Sequence, residues 1–203
     1  MAETKNEAWR VFCAIELPSL VHEKISEHST RLRAAAPDSP ASWSRADSVH
    51  LTLKFVGEVP VSRVNDLSQA AANAVEEFSP FEIVFGNTGS FPQQGTPRVL
   101  WIGVDDYSGK LAQLQAKLDE EGRRLGFEKE ARPFNPHLTI ARLRKSQGAR
   151  VLALAHKEMG FASTKVNVTE LTVIRSELSS KGSNYTVISR HALADNDRPT
   201  LKN

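Results

Sequence analysis

The chain has 203 residues, with 26 lysines and arginines against 24 aspartates and glutamates. Its 40% hydrophobic and 25% charged residues are typical of a globular protein, which excludes an intrinsically disordered chain. A single cysteine excludes a scaffold of internal disulfides, and a formal net charge of +2 excludes a global basic field for long duplex nucleic acid. A short anionic substrate or a local basic cleft stays possible.

Neither a targeting segment nor a run of membrane-spanning length is visible in the sequence. Residues 1–7 are polar and mixed in charge, and the longest apolar runs have the length of strands. The unpaired Cys13 lies within such a run, so we interpret it as a core residue. We therefore expect a monomer in a reduced, cytoplasmic compartment.

The first half of the chain predicts the order strand, helix, strand, helix, strand. Val21, Ile25 and Leu32, for example, recur at the spacing of one helix face. The predicted elements are a strand at 9–17, a helix from near Leu20 to the break at 37–40, a strand at 49–56, a helix at 61–75 and a strand at 81–85, before a loop at 86–97.

The second half repeats this order. Its predicted elements are a strand at 98–104, a helix between Ser108 and Gly126, a strand at 137–143, a helix at 149–157, a strand at 165–174 and a final strand at 185–189. We predict one domain over residues 1–203, with an internal repeat of about 9–85 and 98–190 and a frayed polar tail at 195–203.

One short motif occurs at the third element of each half. His50-Leu51-Thr52-Leu53 in the first half matches His137-Leu138-Thr139-Ile140 in the second. Two such His-Leu-Thr tripeptides are expected by chance roughly 0.0004 times in a chain of this composition. A single copy would be explained well enough by strand propensity and core packing, but the matched pair indicates a functional site.

The spacing of the motif predicts its chemistry. Residues i and i+2 of a strand share a face, so His50 and Thr52 lie together, as do His137 and Thr139. If the halves pack about a pseudo-two-fold axis, the two pairs line one cleft. A neutral histidine can then take a proton from water while a charged one protonates a leaving oxygen, and the threonine hydroxyls can hold a phosphate.

Other roles for the histidines are less well supported. A zinc site is the weaker interpretation because no third close ligand accompanies the two motif histidines. The remaining histidines fall on predicted helices or near the tail, and we interpret them as surface residues: His22, His28, His156 and His191.

The motifs and the segments around them resemble a known family. The chain is similar, from about residue 9 to 193, to the 2H phosphoesterases, and among these to the RNA 2′,3′-cyclic phosphodiesterases, also called the 2′-5′ RNA ligase family. The resemblance rests on VFCAIELP at 11–18, HLTLKFVGEV at 50–59, FP at 91–92, PRVLWIG at 97–103 and RPFNPHLTIAR at 132–142, with further fits at 176–178 and 185–187.

The resemblance implies an α+β, bilobal fold with two antiparallel sheets around a central cleft and helices outside. It implies hydrolysis of a terminal RNA 2′,3′-cyclic phosphate to a 2′-phosphate without metal or cofactor. His50 would be the general acid, His137 the general base, and Thr52 and Thr139 the phosphate ligands. The substrates would be RNA 3′ ends or nucleotides carrying the cyclic phosphate, and the reverse reaction would form a 2′-5′ linkage.

The resemblance also assigns Phe55 to stacking on the terminal base and Arg142 to the substrate phosphate. Both residues lie five positions after their histidine, so strict alternation places them on the opposite face unless each strand ends or bulges first. Lys54 lies four positions after His50, so strict alternation places it on the cleft face. There it would be either a phosphate contact or a solvated lysine. A basic run, Arg142, Arg144, Lys145 and Arg150, fits either an RNA-guiding surface or a solvated turn.

Two alternative functions stay open. One is a phosphodiesterase for small cyclic nucleotides, such as a cyclic phosphate of an ADP-ribose. The other is a non-catalytic module that binds RNA ends. The two titratable histidines argue against the module, because phosphate binding alone needs only arginine, lysine or backbone donors.

Overall fold

The computed structural model describes residues 7–39, 41–179 and 182–194, so the predicted tail at 195–203 lies outside the described residues. The strands are β1 (Ala8–Ile15), β2 (Ser42–Trp43), β3 (Leu51–Pro60), β4 (Phe81–Phe91), β5 (Val99–Asp105), β6 (His137–Arg142), β7 (Thr164–Val168), β8 (Glu170–Ser179) and β9 (Gly182–Ala192). The helices are α1 (Ser19–Ala35), α2 (Val64–Val75), α3 (Lys110–Arg124) and α4 (Ala149–Met159), with short 3-10 turns at Ala46–Ser48 and Val61–Arg63.

The predicted elements are present with shifted ends, and two of the predicted strands differ further, one by division into two strands and one by its greater length. The strand predicted at 165–174 is two strands, β7 and β8, which belong to different sheets. The strand predicted to end at residue 85 continues to Phe91 through a bulge opposite β5, where Asn87 takes a positive φ of 53°. The prediction of a loop over 86–97 is therefore wrong for residues 86–91. Gly89 lies in this extension against Trp101, where a Cβ atom would meet the indole ring at 2.2 Å.

Two antiparallel sheets organise the fold. The first sheet has the order β3-β1-β8-β9 and the second has the order β2-β6-β5-β4-β7. In the first sheet, β3 pairs with β1, and β1 pairs with β8 from the second half of the chain. In the second sheet, β6 pairs with β5, and β5 pairs with β4 from the first half. The expected α+β fold with two antiparallel sheets is therefore confirmed, and strands are exchanged between the halves.

The sheets share one main hydrophobic core. Its buried side chains include Cys13 and Leu51 from the first sheet and Phe85 and Leu138 from the second. Cys13 is fully buried, as predicted, and burial raises the pKa of its thiol to about 12. Helix α1 packs on α4 and helix α2 packs on α3. Among the described residues, no helix combines the length and apolar character needed to cross a membrane.

A buried histidine pair joins α1 to α4. His28 Nε2 lies 2.9 Å from His156 Nδ1, and His156 Nε2 lies 2.9 Å from the carbonyl oxygen of Trp101. Because a carbonyl only accepts, His156 carries its proton on Nε2, and His28 Nε2–H donates to the free Nδ1. The surface interpretation is wrong for these two residues, which are 4% and 0% exposed. It is also incomplete for His22 and His191, which are half-buried.

Burial holds both members of this pair neutral. It lowers the pKa of His28 to about 4, with the neighbouring His156 and Arg31 adding to the effect, and it also lowers the pKa of His156. The unfolded chain therefore binds protons at these sites where the folded chain does not. The stabilisation is complete above pH 6.5, the ordinary histidine value, and is lost as the pH falls towards 4.

Because of this histidine pair, we expect the free energy of unfolding to fall by on the order of 2 kcal/mol when the pH is lowered from 7 to 4. Urea unfolding of the unmodified protein and of His28→Gln across this range measures the effect. Glutamine does not titrate, and its amide can still donate to His156. The variant should therefore lose most of this pH dependence, and equal dependence in both proteins would contradict the prediction.

Candidate active site

The first motif histidine is held in one tautomer. His50 directly precedes β3, and its Nδ1 lies 3.1 Å from the carbonyl oxygen of Ser48, at the end of a 3-10 turn. Because that carbonyl only accepts, Nδ1 carries the proton and Nε2 is left for chemistry. The ring stacks on Phe12 at 4.5 Å between centroids and meets Tyr185 edge-on at 5.0 Å. These contacts fix the orientation of the imidazole.

The second motif histidine is held in the same way. His137 begins β6, and its Nδ1 lies 2.8 Å from the carbonyl oxygen of Asn135, again two residues upstream. Phe91 meets the imidazole edge-on at 5.1 Å, and Phe91 is itself packed on Trp101 at 5.3 Å. Both motif histidines therefore present Nε2 as the free ring nitrogen.

The motif threonines are half-buried, and their hydroxyls have no hydrogen-bond partner in the described part of the chain. Thr52 lies two residues after His50 in β3, and Thr139 lies two residues after His137 in β6. The strands β3 and β6 approach each other, with Cα atoms within 8 Å. The strands that carry the two imidazoles and the two hydroxyls are thus neighbours, and these are the groups that acid–base chemistry on a phosphate ester requires.

A β-bulge follows the histidine by three residues in each motif strand. Thr52 pairs with Ala14 and Lys54 with Cys13, so Leu53 is an extra residue in β3. In β6 the corresponding extra residue is Ile140. We call the side of each sheet that carries the motif histidine and threonine its motif face. A bulge resets the alternation, so the fifth residue after each histidine returns to that face.

Phe55 and Arg142 occupy these fifth positions. Phe55 is 48% exposed, and the Arg10 guanidinium lies over its ring at 4.8 Å from the centroid. Arg142 is exposed and forms no ion pair among the described residues. Both side chains are therefore available to a substrate, because the strands bulge before them.

The bulge also explains why Lys54 is not a cleft residue. Its side chain is buried, forms an ion pair with Asp119 of α3, and donates to the carbonyl oxygen of Glu128 at 2.7 Å. Asp119 in turn accepts from the backbone N–H of Glu130 at 3.2 Å. Both expectations for Lys54, a phosphate contact or a solvated lysine, are wrong.

A cavity of about 340 Å³ lies beside His50. Its polar lining includes His22, Asp47 and Asn184. Burial lowers the pKa of His50, and the Ser48 carbonyl and the Glu16 carboxylate oppose this effect. In the described ranges, no group of three or more His, Cys, Asp or Glu side chains is arranged to hold a metal ion.

Sequence reasoning missed the aromatic residues that support the two imidazoles: Phe12, Phe91 and Tyr185. All three lie in segments on which the family resemblance rests. No spacing or periodicity in the sequence, however, indicates that their rings meet the histidines, because the contacts join strands far apart in the chain.

Comparison with known proteins settles the family. A model of the 2′-5′ RNA ligase superfamily matches residues 21–179. The chain belongs to this superfamily. It is 33% identical to an RNA 2′,3′-cyclic phosphodiesterase of Thermus thermophilus, over 91% of this chain and 90% of that one.

Two further similarities agree with this membership. The chain is 32% identical over 168 residues to an RNA 2′,3′-cyclic phosphodiesterase of Geobacillus stearothermophilus, covering 82% of this chain but spanning only about half (52%) of that protein. The crystal structure of E. coli LigT complexed with 3′-AMP superposes with a TM-score of 0.70 at 28% identity, over 92% of this chain and 99% of that chain. The family and the enzyme class expected from the sequence match these relatives.

We predict that Lys54→Met destabilises the protein by about 3 to 5 kcal/mol, because Asp119 would then be buried without its partner. Denaturant unfolding at pH 7 measures the change. The double variant Lys54→Met with Asp119→Leu removes both charges and should recover a large part of the loss. A double variant that is no more stable than Lys54→Met would show that the uncompensated carboxylate is not the cause.

Proposed function

We propose that the protein hydrolyses the terminal 2′,3′-cyclic phosphate of RNA to a 2′-phosphate by acid–base catalysis with two histidines and without a metal ion. The observation that carries the proposal is the matched geometry of the motifs. Each imidazole donates from Nδ1 to a carbonyl two residues upstream and keeps Nε2 free, two residues before an unpartnered threonine hydroxyl. The names of the relatives support the substrate class.

The proposed reaction is a single displacement at phosphorus. His137 Nε2 takes a proton from water as the water oxygen forms its bond to phosphorus. The bond from phosphorus to the 3′ oxygen breaks, and His50 Nε2–H gives its proton to that oxygen, leaving a 3′ hydroxyl and a 2′-phosphate. His137 ends charged and His50 neutral, and proton exchange with solvent restores both. Each such transfer typically contributes about 10² to 10⁴ in rate.

The other motif residues would bind the substrate. The Thr52 and Thr139 hydroxyls donate to the nonbridging phosphate oxygens as negative charge develops on them. Phe55 offers its exposed ring to the terminal base, and Arg142 offers an unpaired guanidinium to phosphate. A bound phosphate anion also favours the charged imidazole of His50, against the lowering of its pKa by burial.

With a 5′ hydroxyl in place of water, the same groups would join it to the cyclic phosphate and form a 2′-5′ linkage. His137 Nε2 would take the proton of the 5′ hydroxyl as its oxygen bonds to phosphorus, and His50 Nε2–H would protonate the departing 3′ oxygen. This ligation is the reverse of cleavage of a 2′-5′ linkage by the neighbouring 3′ hydroxyl. Ligation is part of the proposal only as this reverse reaction.

The deciding experiment uses a short RNA that ends in a 2′,3′-cyclic phosphate, incubated with the protein and excess EDTA. We expect conversion to a 2′-phosphate end, identified by mass and by comparison with authentic 2′- and 3′-phosphate ends. A 3′-phosphate product would reverse the roles of His50 and His137. Loss of activity in EDTA would contradict metal independence. Turnover of small cyclic nucleotides but not of RNA would favour the first alternative, and binding without turnover the second.

We predict that His50→Ala and His137→Ala each lower kcat by about 10² to 10⁴, because each removes one proton transfer. His191→Ala is the matched control, since this half-buried histidine lies outside the motifs and contacts Ser189 instead. Steady-state kinetics on the cyclic-phosphate RNA measures the effect. Near-normal kcat in either motif variant would contradict the mechanism.

We also predict a bell-shaped pH profile of kcat/KM, because one histidine must be charged while the other is neutral. Burial lowers the pKa of His50, so one limb should have its midpoint below pH 6.5, the ordinary histidine value. Initial rates from pH 4.5 to 8.5 at substrate concentrations well below KM give this profile. A flat profile, or two limbs that both lie above pH 6.5, would be inconsistent with these roles.

A further inference from the structure

Arg10 lies on the motif face of the first sheet. In β1 the side chains of Val11 and Cys13 belong to the main core, whereas Phe12 belongs to a small separate cluster on the other face and stacks on His50. The register shifts against β3 come from extra residues in β3, so β1 alternates regularly. Arg10, two residues before Phe12, therefore shares the face on which the imidazole lies.

Arg10 has an aromatic partner but no anionic one. Its guanidinium lies over the Phe55 ring at 4.8 Å, and among the described residues it forms no ion pair. Its Cα partners are Glu58 in β3 and Ser176 in β8, and neither side chain bonds to it. A half-buried guanidinium that is fixed on a ring and unpaired offers its remaining donors to a phosphate, which it can bind in a bidentate manner.

The position of Arg10 along β1 indicates which phosphate it serves. Thr52, the proposed ligand of the scissile phosphate, pairs with Ala14. Arg10 is four residues from Ala14, so the two Cα atoms are about 13 Å apart along the strand. Phe55, the proposed platform for the terminal base, lies between the two levels, opposite Phe12. A phosphate at Arg10 would thus belong to the other side of the same nucleotide.

We propose that Arg10 is a positioning and specificity residue that binds the 5′ phosphate of the terminal nucleotide, the group that joins it to the rest of the RNA. The Arg10 guanidinium would bind this phosphate while the guanidinium stacks on the Phe55 ring. Arg10 and Phe55 together would then fix the backbone and the base of the terminal nucleotide. This inference rests on the proposed function. It predicts preference for an RNA end over a free nucleoside cyclic phosphate, which has a hydroxyl in place of the 5′ phosphate.

The test compares two substrates that differ only in this group: adenosine 2′,3′-cyclic phosphate with a 5′ hydroxyl and the same molecule with a 5′ phosphate. We expect the unmodified protein to show a KM about tenfold lower for the phosphorylated substrate, with similar kcat, because one charge-assisted contact is added. Arg10→Gln should remove this difference, because its loss in kcat/KM should be about tenfold larger on the 5′-phosphate substrate than on the 5′-hydroxyl substrate. Arg10→Lys should retain part of the difference.

Arg31→Gln is the matched control, because Arg31 is exposed on helix α1 and forms no ion pair among the described residues. This variant should keep the full preference. An equal loss on both substrates in Arg10→Gln would show that Arg10 supports the fold or Phe55 only, and would overturn the inference. So would an unmodified protein with no preference for the 5′ phosphate. If the unmodified protein hydrolyses neither substrate nor cyclic-phosphate RNA, the proposed function itself falls.

Discussion

The extra residue three positions after each motif histidine determines which side chains follow on the face of that histidine. Without the bulge at Leu53, strict alternation would place Lys54 beside Thr52 and would turn Phe55 into the core. With it, the lysine enters the interior and meets Asp119, and the ring reaches the motif face. The bulge therefore couples a buried ion pair on one side of the sheet to an exposed aromatic platform on the other.

Both halves have a bulge three residues after the motif histidine, but different residues follow the bulge in each half. The fourth residue after the histidine is buried in both halves, Lys54 in the first and Ala141 in the second. The fifth residue is exposed in both halves, Phe55 in the first and Arg142 in the second. Two like histidines thus acquire unlike surroundings, an aromatic ring on one side and a free cation on the other. In the proposed reaction, this difference would give the site a direction that matches an RNA end, which has a base on one side of its phosphate.

The sequence places each motif at the start of a strand, with the threonine two residues after the histidine, because this placement needs only the two-residue period of a strand. It does not predict the bulges, which depend on the pairing of β3 with β1 and of β6 with β5, and so the parity argument fails at Lys54. The burial of His28 was predictable in principle. His28 follows Ile25 by three residues and precedes Leu32 by four, which places it on the apolar face of α1. Its partner on α4 could not be known without the packing of the two helices.

The exchange of strands between the halves has a consequence for how the protein can be divided. A cut in the loop between β4 and β5 would leave β1 and β3 without β8 and β9, and a two-stranded remnant is at best marginally stable in water. It would also remove β4 from β5 and β7. Each histidine therefore depends for its support on strands encoded in the opposite half. A fragment that holds only one half would lack the aromatic contact that the other half supplies to its histidine, Tyr185 for His50 and Phe91 for His137.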